Sequence, residues 1–250
     1  MALSDDVRER ARQRLVFALD IDDPDEAIAM AGRLRGNLRW IKVATRLYTR
    51  AGAPLIASLT GMGFNVFLDL KFHDIPDQVE GACRAAARLG VGLLTVHASG
   101  GEAMLRAANR GAAEGAELSG NIRPEVLAVT VLTSLDRQDL DTAGISRSVE
   151  EQVLALAHLA QDSGCAGIVA SPKELPQLRG ALPSPFKILT PGIRPRGASH
   201  GDQKRVLTPQ EAVHMGADWL VVGRPIRTAE NPTQALRAIV EEMAEGEASR

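Results

Sequence analysis

Two carboxylates and an ammonium stand close together in the run Val66-Phe67-Leu68-Asp69-Leu70-Lys71-Phe72-His73-Asp74-Ile75-Pro76. Asp69 and Lys71 are two positions apart, so on a strand both side chains leave the same face, while Leu68 and Leu70 leave the other. A second ammonium, Lys42, lies near the end of an earlier apolar run, Trp40–Ala44. Ionised groups turned into a protein interior are costly to desolvate unless paired. Lys42, Asp69, Lys71 and Asp74 are therefore expected to alternate in sign in space. Such an array has two readings. It is either a buried salt-bridge network with no chemistry, or fixed charge placed against a reacting group, where preorganised electrostatics can lower a barrier.

The elements that must position these groups follow from the hydrophobic pattern. Strands are expected near Leu15–Asp20, Trp40–Ala44, Asn65–Leu70, Leu93–His97, Glu125–Leu132, Gly167–Ala170, Lys187–Thr190 and Trp219–Val222. Most are continuous apolar runs with little polar alternation, the pattern of parallel strands covered on both faces. Helical segments lie between them. Val153, Leu156, Ala157 and Ala160 form one apolar stripe. Pro24, Pro54, Pro76 and Pro232 mark helix starts, and Gly36, Gly63, Gly90 and Gly164 mark helix ends. Eight β/α units in 250 residues give an α/β fold of the (β/α)8 TIM-barrel type, one catalytic domain over residues 1–250 with an N-terminal helical extension over 1–14. An open doubly wound sheet is the alternative. However, the first strand ends in Asp20-Ile21-Asp22-Asp23 and not in a glycine-rich turn, a poor place for a pyrophosphate. In a barrel, function collects at the C-terminal ends of the strands, which is where Asp20, Lys42, Asp69 and Lys71 fall.

Bulk properties exclude several classes of function. The net charge is −2 and the pI about 6.2, so no general attraction to nucleic acid or to an anionic membrane is expected. An anionic ligand must be held by a local site. No apolar run reaches the length of a membrane span. The N-terminus, MALSDDVRERARQRL, is charged and lacks the apolar core of a signal peptide, so a cytoplasmic location is expected. Cys83 and Cys165 belong to no C-x-x-C pair and read as buried hydrophobes. The five histidines lack metal-site spacing. His97 reads as a hydrogen-bonding residue behind the site, and His158, His200 and His214 as surface groups.

The run D-x-K-x-x-D-I-P at Asp69–Pro76 resembles the signature of the orotidine 5′-phosphate decarboxylase family. The resemblance spans Leu15 to about Ile226, with matching pieces in the expected order: Phe17-Ala18-Leu19-Asp20, Ile41-Lys42-Val43, Val96-His97-Ala98-Ser99-Gly100-Gly101, Val131-Leu132-Thr133-Ser134, Thr190-Pro191-Gly192-Ile193-Arg194, Gly201-Asp202-Gln203 and Val221-Val222-Gly223-Arg224-Pro225-Ile226. It implies conversion of orotidine 5′-phosphate to UMP and CO2 in pyrimidine biosynthesis, with neither metal nor cofactor. By this resemblance Lys71 protonates C6 as CO2 leaves, and Asp69 sits against the departing carboxylate. Lys42 and Asp74 complete the array, and Asp20 and Lys42 bind ribose hydroxyls. Asp74 is implied to reach the neighbouring subunit's site, which makes a homodimer part of the functional unit. The family often reads D-I-P-N-T where this chain has Asp77 and Gln78. Gln78 retains hydrogen-bonding capacity and is kept as a substrate contact.

Phosphate is expected at the loops after the seventh and eighth strands. Pro191, Gly192 and Arg194 lie in one loop. Gly223 and Arg224 lie in the other, where glycine admits a close anion and arginine can hold it with two parallel N–H groups. Thr133 and Ser134 are expected to end the fifth strand and to contact the base edge. The polar stretch Arg194–Thr208 is long for a barrel connection and reads as a lid, with Gln203 bridging phosphate to the pyrimidine side near Ser134. Two rivals remain at this level: a related sugar-phosphate decarboxylase using Mg2+ and an enediolate, and a non-catalytic nucleotide-binding barrel, which would have no need of Lys71.

Overall fold

The computed structural model describes residues 3–197 and 207–249. Its strands are β1 (Leu15–Ala18), β2 (Trp40–Ala44), β3 (Asn65–Phe72), β4 (Leu93–His97), β5 (Glu125–Val129), β6 (Gly167–Val169), β7 (Lys187–Thr190) and β8 (Trp219–Val222). They pair in parallel, each with the next in sequence, and β8 pairs back to β1 to close the barrel. Parallel neighbours need crossover connections, and helices supply them: α1 (Asp5–Arg14) before β1, then α2 (Pro24–Leu34), α3 (Thr45–Gly61), α4 (Pro76–Arg88), α5 (Gly101–Ser119), α6 (Arg137–Thr142), α7 (Val149–Asp162), α8 (Leu175–Ala181), α9 (Pro209–His214), α10 (Arg224–Arg227) and α11 (Pro232–Ala248). The architecture is the (β/α)8 barrel expected from the sequence.

Local chemistry sets the helix limits. Asp23 caps α2, its carboxylate accepting from the backbone N–H groups of Asp25 and Glu26 at 2.9 and 3.0 Å, and Pro24 follows where a missing N–H costs little. Thr208 caps α9 in a reciprocal box with Glu211. Pro54 sits just past a kink at Gly52, so α3 is two helical pieces and the proline stands near the start of the second.

Side chains alternate across each strand, and the two faces bury against different partners. Outward residues such as Phe17, Ile41, Leu68, Leu94, Ile168 and Leu220 pack under the helices. Inward residues Val16, Ala18, Phe67, Leu93, Leu127, Leu189, Trp219 and Val221 fill the barrel interior. Trp40 and Trp219 meet there edge to face at 6.2 Å between centroids, near the N-terminal end of the strands. Further along each strand, the same inward rows emerge at the mouth, and their chemistry changes there.

Candidate functional site

On the first four strands each inward row turns polar. Val16 and Ala18 lead to Asp20, Trp40 leads to Lys42, Phe67 to Asp69, and Leu93 to Thr95 and His97. Asp69 is the centre of the cluster. Its Oδ1 lies 2.7 Å from Lys71 Nζ, and its Oδ2 lies 3.3 Å from Lys42 Nζ. Thr95 donates its hydroxyl to Oδ1 at 2.9 Å. Lys42 also lies 3.5 Å from Asp20 Oδ1. Lys42 and Asp69 are buried, whereas the Lys71 and Asp20 side chains keep 33% and 48% exposure and so face the open cavity.

Burial by itself would push the Asp69 carboxyl up. The ammonium groups of Lys42 and Lys71, with hydrogen bonds from Lys71 and Thr95, outweigh it and hold the group below its ordinary range. The carboxylate is thus kept ionised. Burial pushes His97 down, helped by its neighbours His73 and Lys71 against the opposing charge of Asp69. The His73 and His97 rings lie 5.3 Å apart.

Asp69 and Lys71 do share a face, but not on a regular strand. The pairing of β3 with β4 runs Leu68 to Leu94 and then Phe72 to Val96, so β3 carries extra residues between these pairs. Lys71 sits in that bulge at φ 52°, the one non-glycine with positive φ among the described residues. Bulges commonly re-aim a side chain beside a functional site, and this one turns Lys71 toward Asp69.

The remaining mouth is built differently. Val129, Val131, Val169, Ala170, Leu189 and Val221 give an apolar wall to a cavity of about 520 Å³ that also takes in Asp20, Lys42, Asp69 and Lys71. This volume is in the range of small-molecule sites. Pro191, Gly192, Arg194, Gly223 and Arg224 line the side next to β7 and β8. Gly192 has φ 79°, a turn that suits glycine. At Gly223 an added Cβ would come within 3.1 Å of the Ala18 Cβ, so the residue permits close passage of the backbone there. Arg194 accompanies the base of the long β7–α9 connection, where its backbone N–H donates to the Leu207 carbonyl at 3.0 Å.

Not every expected residue reaches the cavity. Thr133 lines it, but Thr133 and Ser134 do not end a strand: β5 stops at Val129, and both lie in the following turn, with Ser134 exposed and outside the lining. The apolar run continued past the ladder because Val131 and Leu132 line the cavity. Asp74 and Gln78 are exposed and do not line it either. Asp74 accepts a hydrogen bond from the next residue's N–H, Ile75, at 2.7 Å. Gln203, Gly201 and Asp202, together with most of the lid, lie outside the described residues. Conversely, Arg46 and Arg227 line the cavity without having been expected there. Arg46 pairs with Asp22 at 2.7 Å and donates to the Asp20 carbonyl at 2.8 Å. Thr95 was also missed: inside an apolar strand it reads as a filler, and only the three-dimensional contact with Asp69 marks it. Cys83 and Cys165 are buried, as expected, and burial pushes their thiols up to about 12 and about 11. Among the described residues no group of three His, Cys, Asp or Glu side chains is placed to hold a metal, and no helix is long and apolar enough to cross a membrane.

Fold and site together define a (β/α)8-barrel enzyme whose mouth sets fixed ammonium and carboxylate groups opposite an arginine-lined rim. The model of the orotidine 5′-phosphate decarboxylase / HUMPS family matches residues 13–239. An orotidine 5′-phosphate decarboxylase of Synechococcus sp. is 48% identical over 92% of this chain and 95% of its own length. One from Moorella thermoacetica is 46% identical, over 97% of each. The crystal structure of orotidine 5′-phosphate decarboxylase from Lactobacillus acidophilus superposes with a TM-score of 0.84 at 36% identity, covering 92% of this chain and 99% of that one. The chain belongs to the orotidine 5′-phosphate decarboxylase / HUMPS family.

Proposed function

We propose that the protein decarboxylates orotidine 5′-phosphate to UMP and CO2, the step that completes UMP in pyrimidine biosynthesis, as a soluble cytoplasmic enzyme of one catalytic domain. The observation that carries this reading is the Lys42–Asp69–Lys71 cluster at the mouth, with the Asp69 carboxylate held between two ammonium groups. Loss of CO2 from C6 leaves an electron pair in an sp2 orbital outside the ring π-system, where no ring carbonyl can delocalise it. The pair must be stabilised by charge already in place, together with binding energy from remote parts of the substrate.

Lys71 suits this role. Its ammonium favours negative charge at C6 and then delivers a proton to that carbon, ending as the neutral amine until it is reprotonated from solvent. Asp69 fixes the Lys71 ammonium and faces the departing carboxylate. Asp20 and Lys42 take the ribose hydroxyls. The phosphate lies against Gly223 and Arg224, with Pro191 and Arg194 on the same rim, and the base edge lies toward Thr133 and Ser134. Gln203, which the family resemblance assigns to the phosphate, lies outside the described residues.

Asp74 completes the array from a second subunit. Its exposed carboxylate, outside the cavity of its own chain, supports this, as do exposed Gln78 and the 63% exposed Ile75 beside it. A C2 homodimer would place each Asp74 in its partner's mouth, with Gln78 contacting ribose there.

The test is an ultraviolet assay following loss of orotate absorbance from orotidine 5′-phosphate, with and without EDTA. Turnover that EDTA leaves intact is expected. No turnover, or turnover abolished by EDTA, would contradict the reading and favour a binding protein or a Mg2+-dependent sugar-phosphate enzyme, respectively.

A further inference from the structure

The geometry points to Thr95 as a positioning residue for Lys71 and Asp69, acting through a single hydroxyl that ties both to the barrel wall. The inference rests on the decarboxylase reading of the site. Thr95 lies on β4 facing inward, and it is fully buried at 0% exposure. Its Oγ1 makes two short contacts with different partners: the Lys71 backbone N–H at 3.0 Å and Asp69 Oδ1 at 2.9 Å.

The proton assignment is forced. An amide can only donate, so the hydroxyl accepts from Lys71, and its one proton is left for the ionised carboxylate. Both directions are used at once, and valine, of the same shape, could serve neither.

The Lys71 amide needs this partner because of the bulge. Between the pairs Leu68–Leu94 and Phe72–Val96 the β3–β4 ladder is broken, so a side chain takes the place of a strand carbonyl as acceptor. The backbone at Lys71 is also in the left-handed region at φ 52°. An ordinary side chain holds that conformation only where its surroundings over-determine it. The bond to Thr95 is one such determinant. The second bond fixes Asp69 Oδ1, the atom that also contacts Lys71 Nζ at 2.7 Å. Backbone and ammonium of Lys71 are thus referred to the same buried oxygen, directly in one case and through Asp69 in the other.

Thr95 does not line the cavity, and the phosphate rim lies across the barrel, so its loss should alter turnover and leave substrate binding almost unchanged. For T95V, kcat per folded site is expected to fall about 10- to 100-fold, the scale for a supporting partner or a small misplacement of a reacting group. KM for orotidine 5′-phosphate should stay within about threefold, because binding energy from the phosphate does not pass through Thr95. T95S keeps the hydroxyl and should restore most of the rate. In the unmodified protein, the Lys71 amide should exchange with deuterium slowly, as a bond to a buried acceptor requires.

A merely structural threonine would lower the thermal midpoint in T95V while kcat per folded site stayed within about twofold; that result, with the unmodified protein turning over normally, overturns the inference and spares the functional reading. A T95S variant as slow as T95V, or a Lys71 amide exchanging as fast as those of exposed residues, would overturn it as well. If T95V does not fold, T95A is judged by the same criteria. Absence of turnover in the unmodified protein would overturn the functional reading and this inference with it.

Discussion

The two halves of the barrel's mouth come from one repeating unit yet end in opposite chemistry. On β1 to β4 the inward rows finish in Asp20, Lys42, Asp69, Lys71, Thr95 and His97. On β5 to β8 the lining is Val129, Val131, Val169, Ala170, Leu189, Val221 and Gly223, and charge returns at the rim with Arg194, Arg224 and Arg227. The first half holds its charges in fixed mutual contact, while the second offers an apolar wall and a cationic edge. Division of this kind lets one side of the pocket bind the anionic end of a ligand while the other is reserved for the reacting atom. Binding energy gathered at the rim can then be spent at the array. Each half can be disabled separately, and the consequences should differ in kind.

The largest effect belongs to the charged half. Lys71→Ala should cost at least about 10⁴-fold in kcat, since on the proposed mechanism it removes both the proton donor and the charge that stabilises the anion. Far-ultraviolet circular dichroism should show the fold intact. A near-normal rate would remove Lys71 from its role.

The next effect tests whether that half is complete in one chain. Lys71→Ala and Asp74→Ala are each expected to be inactive alone. Mixed after dissociation and reassociation, they should recover about a quarter of the normal activity, since half of the dimers are mixed and each mixed dimer has one intact site. No recovery would mean that Asp74 does not act across subunits.

The apolar half gives a binding effect instead. Arg224→Ala should weaken UMP by about 1.5–3 kcal/mol, the worth of hydrogen bonds to a charged group, and leave uridine affinity nearly unchanged. Calorimetric titration with both ligands checks the contrast. Equal losses for the two would place Arg224 elsewhere than at the phosphate.

The smallest effect concerns pH. His97 is held down by burial and by nearby His73 and Lys71. The unfolded chain therefore binds its proton more readily than the folded one. The resulting stability is present above the ordinary histidine value near 6.5 and is lost as the pH falls through that value toward the lower folded one. His97→Gln should flatten the thermal midpoint between about pH 5 and 7 by a degree or two. An unchanged slope would count against the half-buried, neutral imidazole.

The contrast between halves was partly legible in the sequence. Strands β2, β4, β7 and β8 have the limits expected from their apolar runs, because both faces of each are buried along most of the run. Strands β1, β5 and β6 are shorter than expected, since Leu19, Val131 and Ala170 stay buried after the ladder has ended. Hydrophobicity reports burial, and only hydrogen bonding ends a strand. The Lys42–Asp69–Lys71 cluster followed from spacing and the cost of unpaired buried charge. The bulge that orients Lys71 did not, because no residue type in Asp69–Phe72 announces a left-handed backbone. Thr95, Arg46 and Arg227 were equally silent, since their significance comes from neighbours that the barrel brings together from distant positions. Asp74 was assigned to the array by family resemblance alone, and in the single chain it is exposed and outside the cavity.

The most direct test is a crystal structure of the protein with UMP bound. The expected result places the phosphate against Gly223 and Arg224, with C6 of the base about 3–3.5 Å from Lys71 Nζ, the separation of groups ready to react. A nucleotide bound with its base turned away from Lys71, or a cavity that takes no nucleotide, would contradict the central claim.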